Sequence, residues 1–87
     1  MIRVVLIKWQ DAAAAPGWHD QSQLSDQLER PPTLCESVGM LVERKNKEKV
    51  TIIQTIGQNE TSGVFEIPTL CVKSVKTLCT LPITIEL

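Results

Sequence analysis

Eighty-seven residues suffice for one domain with one core, and a chain this short buries only about 60–65% of its unfolded surface. Nine basic residues against ten acidic ones exclude a wholly electrostatic nucleic-acid binder and give no expectation of specific double-stranded DNA binding. Three cysteines, a lone histidine and no CxxC pair exclude a disulfide framework and a structural zinc site, so a partner subunit is the remaining device for stabilising so small a core.

The first element is residues 2–9, IRVVLIKW, a short run rich in β-branched residues that predicts a strand buried on nearly both faces. Lys8 interrupts the apolar run, and Ala12 to Ala15 follow too short and too charged a stretch to be a signal-peptide cleavage site. No apolar run approaches the roughly 20 residues that span a bilayer, so the expected location is the cytoplasm. Pro16-Gly17 then breaks the chain into a loop that carries Trp18 and His19. Asp20 or Ser22 caps the segment QSQLSDQLER, where Leu24 and Leu28 are four apart and Pro31-Pro32 forces a stop. One short helix or an ordered loop fits there.

Residues 34–44, LCESVGMLVER, predict a long strand in which Val38, Met40 and Val42 alternate with Gly39 and Leu41. A glycine inside a strand marks a bulge, a sharp bend or a close backbone approach, and the bend is preferred over a ligand contact because a small barrel needs one to close. The tip RKNKEK, centred on Asn46, leads into VTIIQTI at residues 50–56, which completes a long hairpin. Its cluster of Arg44, Lys45, Lys47 and Lys49 reads as a solvated hairpin tip ahead of a phosphate-binding patch. GQNETSG is a polar loop, VFEIP a short strand with Phe65 and Ile67 on one face, and Thr69 to Cys71 leave room for one tight turn. A last strand, VKSVKTL, follows without strict alternation, and residues 79–87, CTLPITIEL, add a C-terminal strand or tail broken by Pro82, which favours an edge. Cys35, Cys71 and Cys79 read as small buried hydrophobes in a reducing compartment.

The expected fold is therefore mainly β, a five-stranded, strongly bent antiparallel open barrel formed by residues 1–87. The segment SVGMLVERKNKEKVTIIQTI, with Gly39 bending the second strand, and VFEIPTLCVKSVKTL, a short strand, tight turn and closing strand, resemble the two motifs of the Sm-like barrel. The aspartate and asparagine of the Sm hairpin have no matching pair, and Glu66-Ile67-Pro68-Thr69 replaces the arginine-glycine pair, so Sm-type uridine binding does not carry over. The chain also resembles small uncharacterised phage and prophage proteins in Trp9 and Asp11, Gly17-Trp18, Ser37-Val38-Gly39 and Ile67-Pro68. The resemblance implies a homo-oligomer, acting in the cytoplasm of a bacterial host, that binds a nucleotide or short RNA; one concrete form is a sponge that sequesters a cyclic-nucleotide immune signal. A protein-interaction or virion-assembly module is the alternative.

No side-chain constellation supports catalysis. His19 and Asp20 are sequence neighbours without a third group, and no serine or cysteine has an elbow or a base. No phosphate-cradling glycine motif occurs either, so an enzyme, a metal and a cofactor are not expected. The candidate ligand-binding residues are Trp9 and Trp18 for stacking, His19 beside them, and Asn59, Thr61 and Ser62 as polar groups in a loop between two glycines. For each tryptophan, packing is the competing reading.

Overall fold

A computed structural model describes residues 1–11, 20–23 and 33–85. Its strands in chain order are β1 (Ile2–Asp11), β2 (Thr33–Val42), β3 (Lys49–Ile53), β4 (Thr55–Ile56), β5 (Thr61–Ser62), β6 (Phe65–Pro68) and β7 (Val72–Leu81). Five of them make one antiparallel sheet in the order β6-β3-β2-β1-β7, while β4 and β5 form a separate two-stranded ladder. The two edge strands share no ladder, so the sheet is not a closed barrel. It is nevertheless curled, because Ile67 of edge strand β6 packs in one cluster with Val5 and Ile7 of β1, and Val72 of edge strand β7 lies against that same cluster.

The core is small. Val5, Ile7, Ile52 and Ile67 are fully buried, with Trp9, Leu41, Val50, Cys71 and Val72 packed around them. These residues alternate along their strands, as a two-residue side-chain period requires. In β1, Val5 and Ile7 are buried while Val4 and Leu6 on the other face are half-buried, which matches the expectation of a strand covered on nearly both sides.

The inward row of β2 differs from the simplest reading of its apolar residues. Gly39 and Leu41 face the core, while Val38 is 47% exposed. At position 39 the inward residue is not a hydrophobe, because Gly39 stands where Ile52 of the neighbouring strand crosses. A Cβ built on Gly39 would lie 2.9 Å from the Ile52 Cβ and 3.2 Å from the Ile53 carbonyl oxygen. The glycine thus serves close approach of β3 to β2, one of the roles a strand glycine takes.

The last strand is longer than the seven residues expected, since Cys79, Thr80 and Leu81 continue β7 along β1 and the strand stops before Pro82. Its irregular apolar spacing has a structural cause. The β1–β7 register slips between Lys8 and Trp9 and again between Val4 and Val5, leaving Lys73 and Leu78 as extra residues. The first slip sets Val72 opposite Trp9 and Val75 opposite Ile7, so two valines three apart reach the same face. Cys79 is exposed and Cys35 and Cys71 are half-buried, all three as free thiols, which corrects the expectation that each is a buried hydrophobe.

The 3-10 turn at Thr69–Cys71 is the single tight connection expected between the last two strands. Another 3-10 turn spans Gln21–Gln23. The remainder of the predicted helix, with Leu24 and Leu28, lies outside the described residues, as do Pro16-Gly17 and Pro31-Pro32. Strand Lys49–Ile53 ends earlier than expected because Gln54 leaves the ladder. Its backbone N–H donates to the Ser62 carbonyl and its Nε2 to the Val38 carbonyl. No helix among the described residues is long and apolar enough to cross a membrane.

Candidate functional site

The four sequence-derived candidates among the described residues do not form one site: Trp9 stands apart from Asn59, Thr61 and Ser62. Trp9 sits near the end of β1, where its Nε1 donates a 3.0 Å hydrogen bond to the Ser37 hydroxyl and its ring meets Phe65 at 5.7 Å between centroids. A tryptophan with one face in the core and its single donor satisfied is held for packing. Trp18 and His19 lie outside the described residues.

Asn59 and Thr61 line a cavity of about 620 Å³ together with Ile56, Gly57, Glu60 and the tail residues Thr84 and Ile85. Ser62 is adjacent in β5, where it pairs with Thr55. The loop is shaped by two glycines. Gly57 donates its N–H to the Glu60 carbonyl at 2.7 Å, and Gly63 has a φ of 70° with the Gln54 side chain 2.7 Å from where a Cβ would stand. Only glycine fits such a position without strain. The amide and hydroxyl groups of this loop give hydrogen-bonding capacity without charge balance, since Glu60 is the only ionisable residue among the described residues of the cavity wall.

A second concavity, about 380 Å³, lies beside the hairpin tip at residues 43–49. Four cations line it: Arg3 from β1, and Arg44, Lys47 and Lys49 from the hairpin tip, with Glu43 as the one acid. Leu41, Val50 and Val75 contribute its apolar wall. The tip is fixed rather than loose. Asn46 Oδ1 accepts from the Glu48 N–H at 2.9 Å, an Asx turn, and the Thr69 N–H donates to the Glu48 carbonyl at 2.9 Å. The Thr69 hydroxyl also donates to the Lys47 carbonyl. Turn and hairpin are thereby joined across 20 residues of sequence.

Electrostatically the rim is partly neutralised. Arg3 reaches Glu43 at 3.2 Å and also donates to Thr77. Glu66 holds Arg44 at 3.0 Å and Lys49 at 3.2 Å. The hydrogen bond and charge of Lys49, with Arg44 adding to them, hold the Glu66 carboxyl below its ordinary range. Glu66, Arg44 and Lys49 are all exposed, so these pairs orient the side chains more than they stabilise the fold. Lys47 makes no ion pair with another described residue.

Sequence reasoning identified the basic run at 44–49 but not its concave arrangement. Arg3 is some forty positions away in sequence, and only the β1–β2 ladder brings it beside Glu43. Among the described residues no group of three or more histidine, cysteine, aspartate or glutamate side chains could hold a metal ion. In comparison with known proteins, no family model, curated protein or solved structure matches this chain.

Proposed function

We propose that the chain is a phage-type Sm-like protein that assembles with copies of itself and binds a nucleotide or short RNA without altering it. Its concrete form would be a sponge that withholds a cyclic-nucleotide signal of host immunity. The observation that carries this reading is the strand order β6-β3-β2-β1-β7, with a glycine-centred crossing in β2 and a single 3-10 turn linking β6 to β7. That order supports a bent, open barrel of the Sm-like kind.

Two further features support the oligomer. Both edges of the sheet, β6 and the ten-residue β7, carry backbone groups with no strand partner among the described residues, and such edges template pairing with another chain. The fully buried core cluster contains only four side chains, which is little for a domain of this size. The polar 57–62 loop supplies the amides and hydroxyls that would read a base edge.

Light scattering on the purified chain, with the ratio of absorbance at 260 and 280 nm, tests this directly. A multimeric mass and either bound nucleotide or binding of a cyclic dinucleotide or oligouridine in calorimetric titration are expected. A monomer, or silence against every such ligand, would remove the reading. A multimer that is silent toward nucleotides and co-purifies with phage structural proteins would favour the assembly-module alternative, to which the wholly exposed Leu70 would then be the first contact to test.

A further inference from the structure

We infer that the concavity between the hairpin tip, the start of β1, the end of β2 and the start of β3 is a binding site for a phosphorylated small molecule carrying at least two phosphate charges, such as a nucleoside diphosphate. This inference shares with the proposed function only the premise that the ligand is bound and not transformed. It does not require an oligomer, and it uses a part of the molecule separate from the 57–62 loop.

Charge is the first argument. Arg3, Arg44, Lys47 and Lys49 line the concavity with Glu43, and counting Glu66, which holds two of the cations from outside, still leaves a surplus of two positive charges. The chain as a whole carries a formal charge of −1, so the surplus is local and not a reflection of a basic protein. Cations gathered in a concave, partly apolar wall focus potential toward an anion more than the same charges on a convex tip would.

Shape is the second. A volume of about 380 Å³ lies within the range that small-ligand sites occupy, roughly 300–1,000 Å³. Leu41, Val50 and Val75 give the wall an apolar sector, and Val75 is 43% exposed although it stands opposite the buried Ile7 across the β1–β7 ladder. A valine left open on the core side of a sheet has unused apolar surface suited to the non-phosphate part of a ligand.

Preorganisation is the third. The Asx turn at Asn46 and the two bonds from Thr69 to the backbone of residues 47 and 48 fix the peptide that carries Lys47. Arg44 and Lys49 are held by Glu66. A ligand therefore meets cations already placed, and the ordering cost of binding is reduced. Arginine supplies bidentate geometry for phosphate oxygens and lysine a point charge.

Calorimetric titration of the full chain with pyrophosphate, ADP and an oligouridine lacking terminal phosphates tests the site, at low and at physiological salt. Binding of pyrophosphate and ADP that weakens as salt rises is expected. Lys47→Ala, which removes an exposed side chain and leaves the backbone contact to Thr69 in place, should weaken it roughly tenfold. Glu43→Gln removes the opposing charge and should tighten it about threefold. Lys8→Ala, on the same strand as Arg3 but about 17 Å further along it, should change nothing, and circular dichroism should show all three variants folded.

Lack of heat from both pyrophosphate and ADP overturns the site, as does a loss with Lys8→Ala equal to that with Lys47→Ala. If Lys47→Ala weakens ADP alone, the source of phosphate is a free nucleotide. If it weakens oligouridine equally, the same cations read a nucleic-acid backbone. A monomeric chain that binds ADP in this way would remove the oligomer reading and keep this one.

Discussion

At the scale of single residues, Gly39 holds the sheet by the space it leaves and Ser37 by the hydrogen bond it accepts. Replacing Gly39 by alanine would push a methyl group against Ile52 and the Ile53 carbonyl, and overpacking of this kind costs about 1–3 kcal/mol. We expect Gly39→Ala to lower the unfolding free energy by that amount, read as a lower urea midpoint with the slope unchanged. Ser37→Ala would strip the Trp9 Nε1 of its partner, at about 1 kcal/mol, and should be read by thermal denaturation together with a change in tryptophan emission. Glu66 predicts the pH dependence. Its pKa is depressed in the folded chain by Lys49 first and Arg44 second, so its pairing contributes at neutral pH and above the unfolded value of about 4.3. That contribution is lost as pH falls through the lower folded value. A Glu66→Gln variant should show a flatter acid limb in stability measured against pH, and the difference should shrink in high salt.

At the scale of elements, the sequence carries the strands and conceals how they slide past one another. The β-branched runs at Ile2 to Ile7 and Val50 to Ile53, the turn centred on Asn46, and the single-turn link at Thr69–Cys71 were all legible, because period, propensity and turn chemistry agree there. The inward row of β2 was not. Val38 and Met40 are the larger hydrophobes, and only the neighbouring Ile52 side chain reveals why a glycine takes the core position. Nor was the face of Val75 legible, since it depends on a one-residue slip opposite Lys8 and Trp9, and a slip of one residue moves every later side chain to the other face. The cationic concavity shares that obscurity: its basic run could be read at once, but the contribution of Arg3 depends on pairing between β1 and β2. At this scale Gly63 gives a prediction. Gly63→Ala places a Cβ into Gln54 at a positive φ, so it should disrupt the β4–β5 ladder, with faster amide exchange at Thr55 and Ile56 and little change in the five-stranded sheet.

At the scale of the whole molecule, stability rests on few atoms. Ile7 and Ile52 are fully buried in a cluster of four, and truncating a buried isoleucine to alanine costs about 2–5 kcal/mol, a large share of the 5–15 kcal/mol that stabilises an ordinary domain. Ile7→Ala should leave the isolated chain largely unfolded by circular dichroism, whereas Leu70→Ser, at a fully exposed position, should keep the monomer within about 0.5 kcal/mol of the parent. If assembly adds stability, the midpoint for Ile52→Val will rise with protein concentration. The ten residues of β7 also record their own surroundings. Hydrogen-bonded among the described residues to β1 along one side only, the strand offers its amides alternately to a protected and an unprotected side, so deuterium uptake measured residue by residue should read as a fast-slow alternation whose phase resets at Lys73 and again at Leu78. A second chain docking along that margin would silence the fast positions and leave the slow ones as they were, turning one strand into an internal gauge of whether, and along which edge, the molecule is accompanied.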